Sequence, residues 1–301
     1  MKILVTGATG FVGSALCRAL ASAGHAVTAL SRNAEAAKLR LPMLHAAYEW
    51  EPRDDTPPAM AIQEADAIVH LAGESVAGRW GRAQRRSIHN SRVVGTQNLV
   101  EGIRAASPRP TVLISASAIG FYGDRGDDEL TELDAAGDDF LAGVCSAWES
   151  AAQAGESLGV RVVRLRTGIV LGRGGGALEQ MLLPARLGMN GPLGSGRQWW
   201  SWIHIDDLIG IIRHGLDTQI RGALNASSPA PVRQQQFAEV LGAVLHRPSF
   251  VPAPALALKI VLGGFSAELL TSKRVLPGAL QAAGYEFRFP QLRTALDDLL
   301  A

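Results

Sequence analysis

The chain has 301 residues, 47% hydrophobic and 19% charged, a globular balance that excludes a disordered or fibrous polymer and leaves room for one large domain plus a smaller one. A formal net charge of +1 supplies no global field to gather nucleic acid or an anionic membrane, so the expected partner is a small-molecule substrate, with a homo-oligomer left open. The two cysteines, Cys17 and Cys145, fall in no metal-ligand or disulfide spacing, and no charged-then-apolar leader precedes the first strand pattern, which suits a cytoplasmic protein.

Taken in chain order, short Val/Ile/Leu-rich runs at 3–5, 26–30, 67–71, 112–115 and 160–165 read as buried strands. Helical patterns separate them. In 11–23, Val12, Ala15, Leu16, Ala19, Leu20 and Ala23 recur at helical spacing before Gly24, and a further helix runs through 93–103. This alternation predicts an α/β fold with a doubly wound parallel sheet.

Between the first strand and first helix stands Thr6-Gly7-Ala8-Thr9-Gly10-Phe11-Val12-Gly13, three glycines spaced G-x-x-G-x-x-G. Glycines there allow a tight turn, let backbone N–H groups approach a pyrophosphate at the helix N-terminus, and let the helix pack close to the sheet. The strand–turn–helix context makes this a dinucleotide-binding unit of the Rossmann, NAD(P)-binding type. The second strand ends Leu30-Ser31-Arg32, without the carboxylate that bonds a ribose 2′-hydroxyl. A hydroxyl and a guanidinium suit a 2′-phosphate, which predicts NADP(H).

His70-Leu71-Ala72-Gly73-Glu74 closes the next sheet strand. Leu71, Ala72 and Gly73 are expected to line the cofactor, Glu74 to reach substrate, and His70 to be an interior strand residue. Arg85, Arg86 and Arg92 follow; the first two read as a solvated helix face, and Arg92 lies where it can reach a cofactor phosphate. Ser115-Ala116-Ser117 then leads to Tyr122 above the sheet edge, with Ser115 on the cofactor side.

After about residue 172 the glycine run Gly172-Arg173-Gly174-Gly175-Gly176 marks entry to a substrate lobe, so the domains are drawn as 1–172, with returning segments near 200–228, then mixed substrate-lobe segments over 173–247, and a mainly helical C-terminal lobe over 248–301. Trp199, Trp200 and Trp202 make either an apolar pocket wall or packing between lobes, with Arg197, Trp200 and His204 as candidate substrate contacts. Asp206 and Asp207 read as capping carboxylates at the start of a helix, with no metal expected. The apolar stretch 253–265 is broken by Pro254, Lys259, Gly263 and Gly264 and falls short of the roughly 20 residues a bilayer span needs.

The glycine motif, Leu71-Ala72-Gly73, Ser115-Ala116-Ser117 with Tyr122-Gly123, and Ile203-His204-Ile205-Asp206-Asp207-Leu208 together resemble the extended short-chain dehydrogenase/reductases, which include nucleotide-sugar epimerases. Gly194-Ser195-Gly196-Arg197-Gln198 and the tail from Arg274-Val275-Leu276-Pro277 to Ala283-Gly284-Tyr285-Glu286-Phe287 are similar to an "epimerase family protein" branch with a C-terminal domain of unknown function. The resemblance implies hydride transfer from the nicotinamide, with a Tyr and a Lys four residues later handling the proton. Here that pair is missing: the tyrosines are Tyr48, Tyr122 and Tyr285, the lysines Lys2, Lys38, Lys259 and Lys273, and Leu141 and Cys145 fall at the Tyr and Lys positions when Glu149 is aligned with the acidic residue that follows the motif. Cys145 reads either as a reactive thiol or, as free cysteines more often are, as a small buried hydrophobe. Proton handling is therefore assigned to Ser117, Tyr122 or water, in an oxidoreductase or epimerase-like enzyme; the alternative is a non-catalytic NADP(H)-binding sensor or scaffold.

Overall fold

A computed structural model describes residues 1–301. Its centre is a seven-stranded, all-parallel sheet made of β1 (Lys2–Thr6), β2 (Ala26–Ser31), β3 (Ala46–Glu49), β4 (Ala67–His70), β5 (Val112–Ala118), β7 (Arg161–Thr167) and β11 (Gly222–Ala226), in the order β11-β7-β5-β4-β1-β2-β3. The short strands β6 (Glu129–Leu130), β8 (Ile169–Leu171), β9 (Trp199–Trp200) and β10 (Trp202–His204) lie outside it. The helices are α1 (Phe11–Ser22), α2 (Ala34–Arg40), α3 (Ala59–Gln63), α4 (Arg82–Ala105), α5 (Phe140–Gln153), α6 (Gly176–Arg186), α7 (Ile205–Asp217) and α8 (Gln234–Leu245), followed in the C-terminal lobe by α9 (Ala255–Leu262), α10 (Ser266–Leu270), α11 (Gly278–Ala282) and α12 (Leu292–Leu300). None is long and apolar enough to cross a membrane.

The doubly wound parallel sheet matches the sequence-based expectation, with two strands added. Edge strand β3 is only half-buried and reads Ala-Ala-Tyr-Glu, while β11 reads Gly-Ala-Leu-Asn-Ala. Neither contains the β-branched run that marked the other strands, so both are specified by pairing with a neighbour rather than by local propensity.

Strand alternation sorts the sheet into two faces. One is aliphatic from end to end: Ile3, Val5, Val69, Ile114, Leu165 and Leu224 join a single core cluster with α7 residues Leu208, Ile211 and Ile212 and α1 residues Leu16 and Leu20. The other is aliphatic only in its lower half, where Leu4, Ile68, Leu113 and Val162 pack with Leu99, Val100 and Ile103 of α4. Its upper half turns polar. In register across β1, β4, β5 and β7 stand Thr6, His70, Ser115 and Arg164, and one step further out Ser117, Arg166 and Asn225.

His70 illustrates how that row is satisfied. The Thr6 hydroxyl oxygen accepts from the N–H groups of Leu71 (3.2 Å) and Ala72 (3.1 Å), so its own proton is left for His70 Nδ1 at 2.8 Å. The ring is then the Nε2–H tautomer, donating to Thr96 Oγ1 at 2.9 Å. Burial pushes its pKa from the ordinary 6.5 down to about 4. The unfolded chain thus takes up this proton first as pH falls, and stability should drop by about 3 kcal/mol between pH 6.5 and 4. Denaturant unfolding across that range should show a shallower pH slope in His70→Gln than in the wild type; identical slopes would contradict the assignment.

Candidate functional site

The turn after β1 is closed by steric limits that admit only glycine. Gly7 adopts φ +67°, and a Cβ there would lie 2.8 Å from the backbone of Leu71; a Cβ on Gly13 would lie 2.1 Å from the Gly7 carbonyl oxygen. Gly10 precedes α1 without any side-chain cap, and the first turn holds no acidic residue. The N–H groups of Phe11, Val12 and Gly13 therefore form an open positive helix end, which suits a phosphate. Phe11 turns its ring the other way, against the glycine run: added Cβ atoms on Gly172, Gly175 and Gly176 would meet it at 2.6–2.7 Å. That run seats on the first residue of α1.

A cleft opens in front of this turn, lined by Gly7, Thr9, Gly10, Ser31, Arg32, Leu71, Ala72, Gly73 and Glu74. The structure thus gathers most of the cofactor residues named from sequence. It adds Trp50, Glu51, Pro52 and Arg53, from the segment after β3, and Ser91. These were missed together with β3; the signal that could have found them is the pair Trp50 and Arg53, an aromatic and a cation at the end of a sheet strand. Arg53 bonds Glu51 at 3.1 Å, whereas Arg32 is exposed and in no ion pair. Glu74, expected to reach substrate, shares the cleft with the cofactor residues, its N–H held by Ser91 Oγ at 3.0 Å.

Arg92 is outside the cleft lining. Its guanidinium lies beneath Gly73, donates to the Glu74 carbonyl at 2.9 Å and covers the Trp148 ring at 5.2 Å. It braces the Gly73–Glu74 turn from below rather than meeting a phosphate directly. Ser115 is buried, and its hydroxyl is spent on the Ala116 carbonyl.

Ser117 sits at the carboxyl end of β5, 4% exposed, and donates to Glu149 Oε1 of α5 at 2.7 Å. Arg166 from β7 clamps the same carboxylate with both ends of its fork, at 2.8 and 3.0 Å. Arg166 also donates to the Tyr122 hydroxyl at 2.9 Å, and that hydroxyl faces Asn225 Oδ1 at 2.7 Å and the Thr131 carbonyl at 2.9 Å. Tyr122 is fully buried, and burial pushes its pKa up to about 12. The candidate acid/base role for Tyr122 is therefore corrected: its hydroxyl is an interior link in the Ser117–Glu149–Arg166–Asn225 chain. The sequence carried a cue to this chain, since arginines at 164 and 166 alternate with aliphatic residues in a central strand and so require a buried carboxylate.

Leu141 and Cys145, at the positions of the missing Tyr and Lys, are buried beside Gly120. Burial raises the Cys145 thiol to about 12, consistent with a small hydrophobe. Of the three substrate candidates further on, Trp200 and His204 serve packing. Arg197 is on the surface, its carbonyl accepting from Arg233; Trp200 packs edge-on against Phe237 at 5.3 Å and donates to the Leu269 carbonyl. His204 is fully buried, stacks on Phe289 at 4.0 Å, and caps α7 by accepting the Asp206 N–H. The cap is thus the histidine, not a carboxylate. Asp207 instead accepts from the N–H groups of Arg288 and Phe289, and Asp206 pairs with Arg288. Trp200 and Trp202 are buried in one apolar cluster with Phe237 and Phe289, and the Trp199 indole donates to Asp127.

Residues 3–225 match the model of the NAD dependent epimerase/dehydratase family. The chain belongs to that family. Residues 253–299 match a second model, a domain of unknown function numbered 1731. Among family relatives, Epimerase family protein YfhF of Bacillus subtilis is 35% identical over 100% of this chain and 98% of its own length, and the human Epimerase family protein SDR39U1 is 37% identical over the full length of both. A crystal structure of the human SDR39U1 protein with NADPH superimposes with a TM-score of 0.89 at 36% identity, covering 99% of each chain. As an epimerase/dehydratase-family member with an uncapped glycine turn and a free guanidinium in its cleft, the chain has a site that fits NADP(H).

Two substitutions separate the roles. Gly13→Val should weaken NADPH binding by on the order of 100-fold or more, because the helix end must move off the turn. Tyr122→Phe should leave NADPH affinity unchanged while lowering unfolding free energy by about 1–3 kcal/mol, since Arg166 and Asn225 lose a buried partner. Fluorescence titration and urea unfolding report the two quantities independently.

Proposed function

We propose that this protein is an NADP(H)-dependent oxidoreductase of epimerase type, acting on the alcohol or carbonyl carbon of a small molecule and handling the proton through Ser117 instead of a Tyr–Lys pair. The observation that carries the reading is the unpaired Arg32 beside Ser31 and Arg53 in a cleft floored by the glycine turn. The 36% identical human relative solved with NADPH supports the same cofactor. Two buried free thiols, Cys17 and Cys145, fit a cytoplasmic, reducing setting.

When bound, NADP(H) supplies or accepts the hydride. The chain's own residues do the rest. Arg32, Ser31 and Arg53 hold the adenosine phosphate, the α1 end holds the pyrophosphate, and Arg92 fixes the Gly73–Glu74 turn that borders the cleft. The Ser117 proton already points at Glu149, so its oxygen presents lone pairs. A substrate hydroxyl can therefore donate to Ser117 Oγ as it is oxidised, with the serine proton passing to the Glu149 carboxylate; in the reduction direction the same path returns it. Arg166 fixes the carboxylate in both directions.

The second reading, a non-catalytic NADP(H) sensor or scaffold, is favoured by the apolar Leu141 and Cys145 at the family's catalytic positions and by the sequestered Tyr122 hydroxyl. A panel of nucleotide sugars, small alcohols and carbonyl compounds, followed by nicotinamide absorbance and by solvent-deuterium incorporation, distinguishes the two. The enzyme reading expects turnover with at least one class, and a loss of about 100-fold or more in kcat for Ser117→Ala with NADPH affinity retained. Silence across the panel with cofactor binding intact supports the sensor.

A further inference from the structure

The balanced net charge conceals a local asymmetry at one end of the molecule. Eight large apolar side chains stand exposed on two segments: Leu183, Leu187 and Met189 after the middle of α6, and Phe250, Val251, Leu256, Ile260 and Val261 in and before α9, with exposures from 40% for Val251 to 77% for Phe250. The segments run side by side. The Ala253 N–H bonds the Pro192 carbonyl at 2.8 Å, Gly194 returns a bond to the Ala253 carbonyl at 2.8 Å, and Arg247 donates to the Arg186 carbonyl at 3.0 Å. α9 has no buried residue at all, yet it is anchored: Arg79 donates to the Ile260 carbonyl at 2.8 Å, and Gly264 packs against the Trp80 ring. Exposed apolar side chains gathered on two adjacent segments mark an interaction site.

Its charge is one-sided. Neither residues 181–197 nor residues 240–267 contain Asp or Glu. Arg186, Arg247 and Lys259 are exposed there, and none of them is in an ion pair. A two-fold contact between copies through this face would set those cations against their own equivalents with no carboxylate between them. Aliphatic chains interspersed with free cations are what an anionic bilayer surface accepts: the apolar groups enter the headgroup boundary and the cations are drawn to the lipid phosphates.

We propose that the α6 end and α9 together form a peripheral docking face for an anionic lipid surface. Co-sedimentation of the full chain with vesicles rich in phosphatidylglycerol, against pure phosphatidylcholine vesicles, tests it. The expected result is binding to the anionic vesicles alone, weakened by salt, and reduced by about tenfold in Lys259→Glu and more in Phe250→Asp/Ile260→Asp. These variants should keep the wild-type melting temperature and NADPH affinity. Absence of binding, binding unaffected by the substitutions, or a dimer in sedimentation velocity that Phe250→Asp/Ile260→Asp dissociates while vesicles go unbound would each overturn the proposal.

Discussion

The site depends on a change of character along one face of the sheet. Below, Leu4, Ile68, Leu113 and Val162 bury an aliphatic layer; above, Thr6, His70, Ser115, Ser117, Arg164, Arg166 and Asn225 present polar groups that burial obliges to find partners. Thr6 shows how that obligation builds the site. Its one hydroxyl accepts two N–H groups from the turn after β4 and donates to His70, locking Leu71 and Ala72 against the glycine turn after β1. The gap between those turns is only as wide as a glycine permits, since any Cβ on Gly7 collides with Leu71. Pairing of strands, polar satisfaction and cofactor geometry are thus one constraint.

The same row explains where the chemistry can and cannot reside. A buried ion pair such as Arg166–Glu149 is weak evidence for stability, because desolvating both charges offsets most of their attraction. Its value here is geometric. The fork fixes the carboxylate, the carboxylate orients Ser117, and the arginine occupies Tyr122. With Leu141 and Cys145 facing Gly120, no ammonium stands beside a tyrosine to lower its pKa. Ser117, buried and outside the cleft lining, keeps unshared lone pairs at the carboxyl edge, and the proposed proton path rests on them.

Much of this was legible in the sequence where local chemistry decides. The glycine spacing, the strand end at Ser31-Arg32 and the missing Tyr–Lys pair each state a physical requirement on their own. What was not legible depends on partners far apart in the chain. β3 and β11 carry no local strand signal, and with β3 went Trp50 and Arg53 of the cleft. Trp200 and His204 read as contacts because aromatic and imidazole groups suit ligands, yet Phe237 and Phe289, supplied by α8 and the segment before α12, bury them. Tyr122 was placed above the sheet edge by its distance from β5, and only the arrival of Asn225 and Arg166 shows its hydroxyl turned inward.

Selection of the phosphorylated cofactor is proposed to rest on the glycine turn and the guanidinium pair. Paired titrations with NADPH and NADH at low and high salt test it most directly. NADPH should bind tighter by about tenfold or more, an advantage that shrinks with salt and largely disappears in Arg32→Ala/Arg53→Ala. Equal affinity for the two cofactors, or an NADPH preference that survives loss of both arginines, would contradict it.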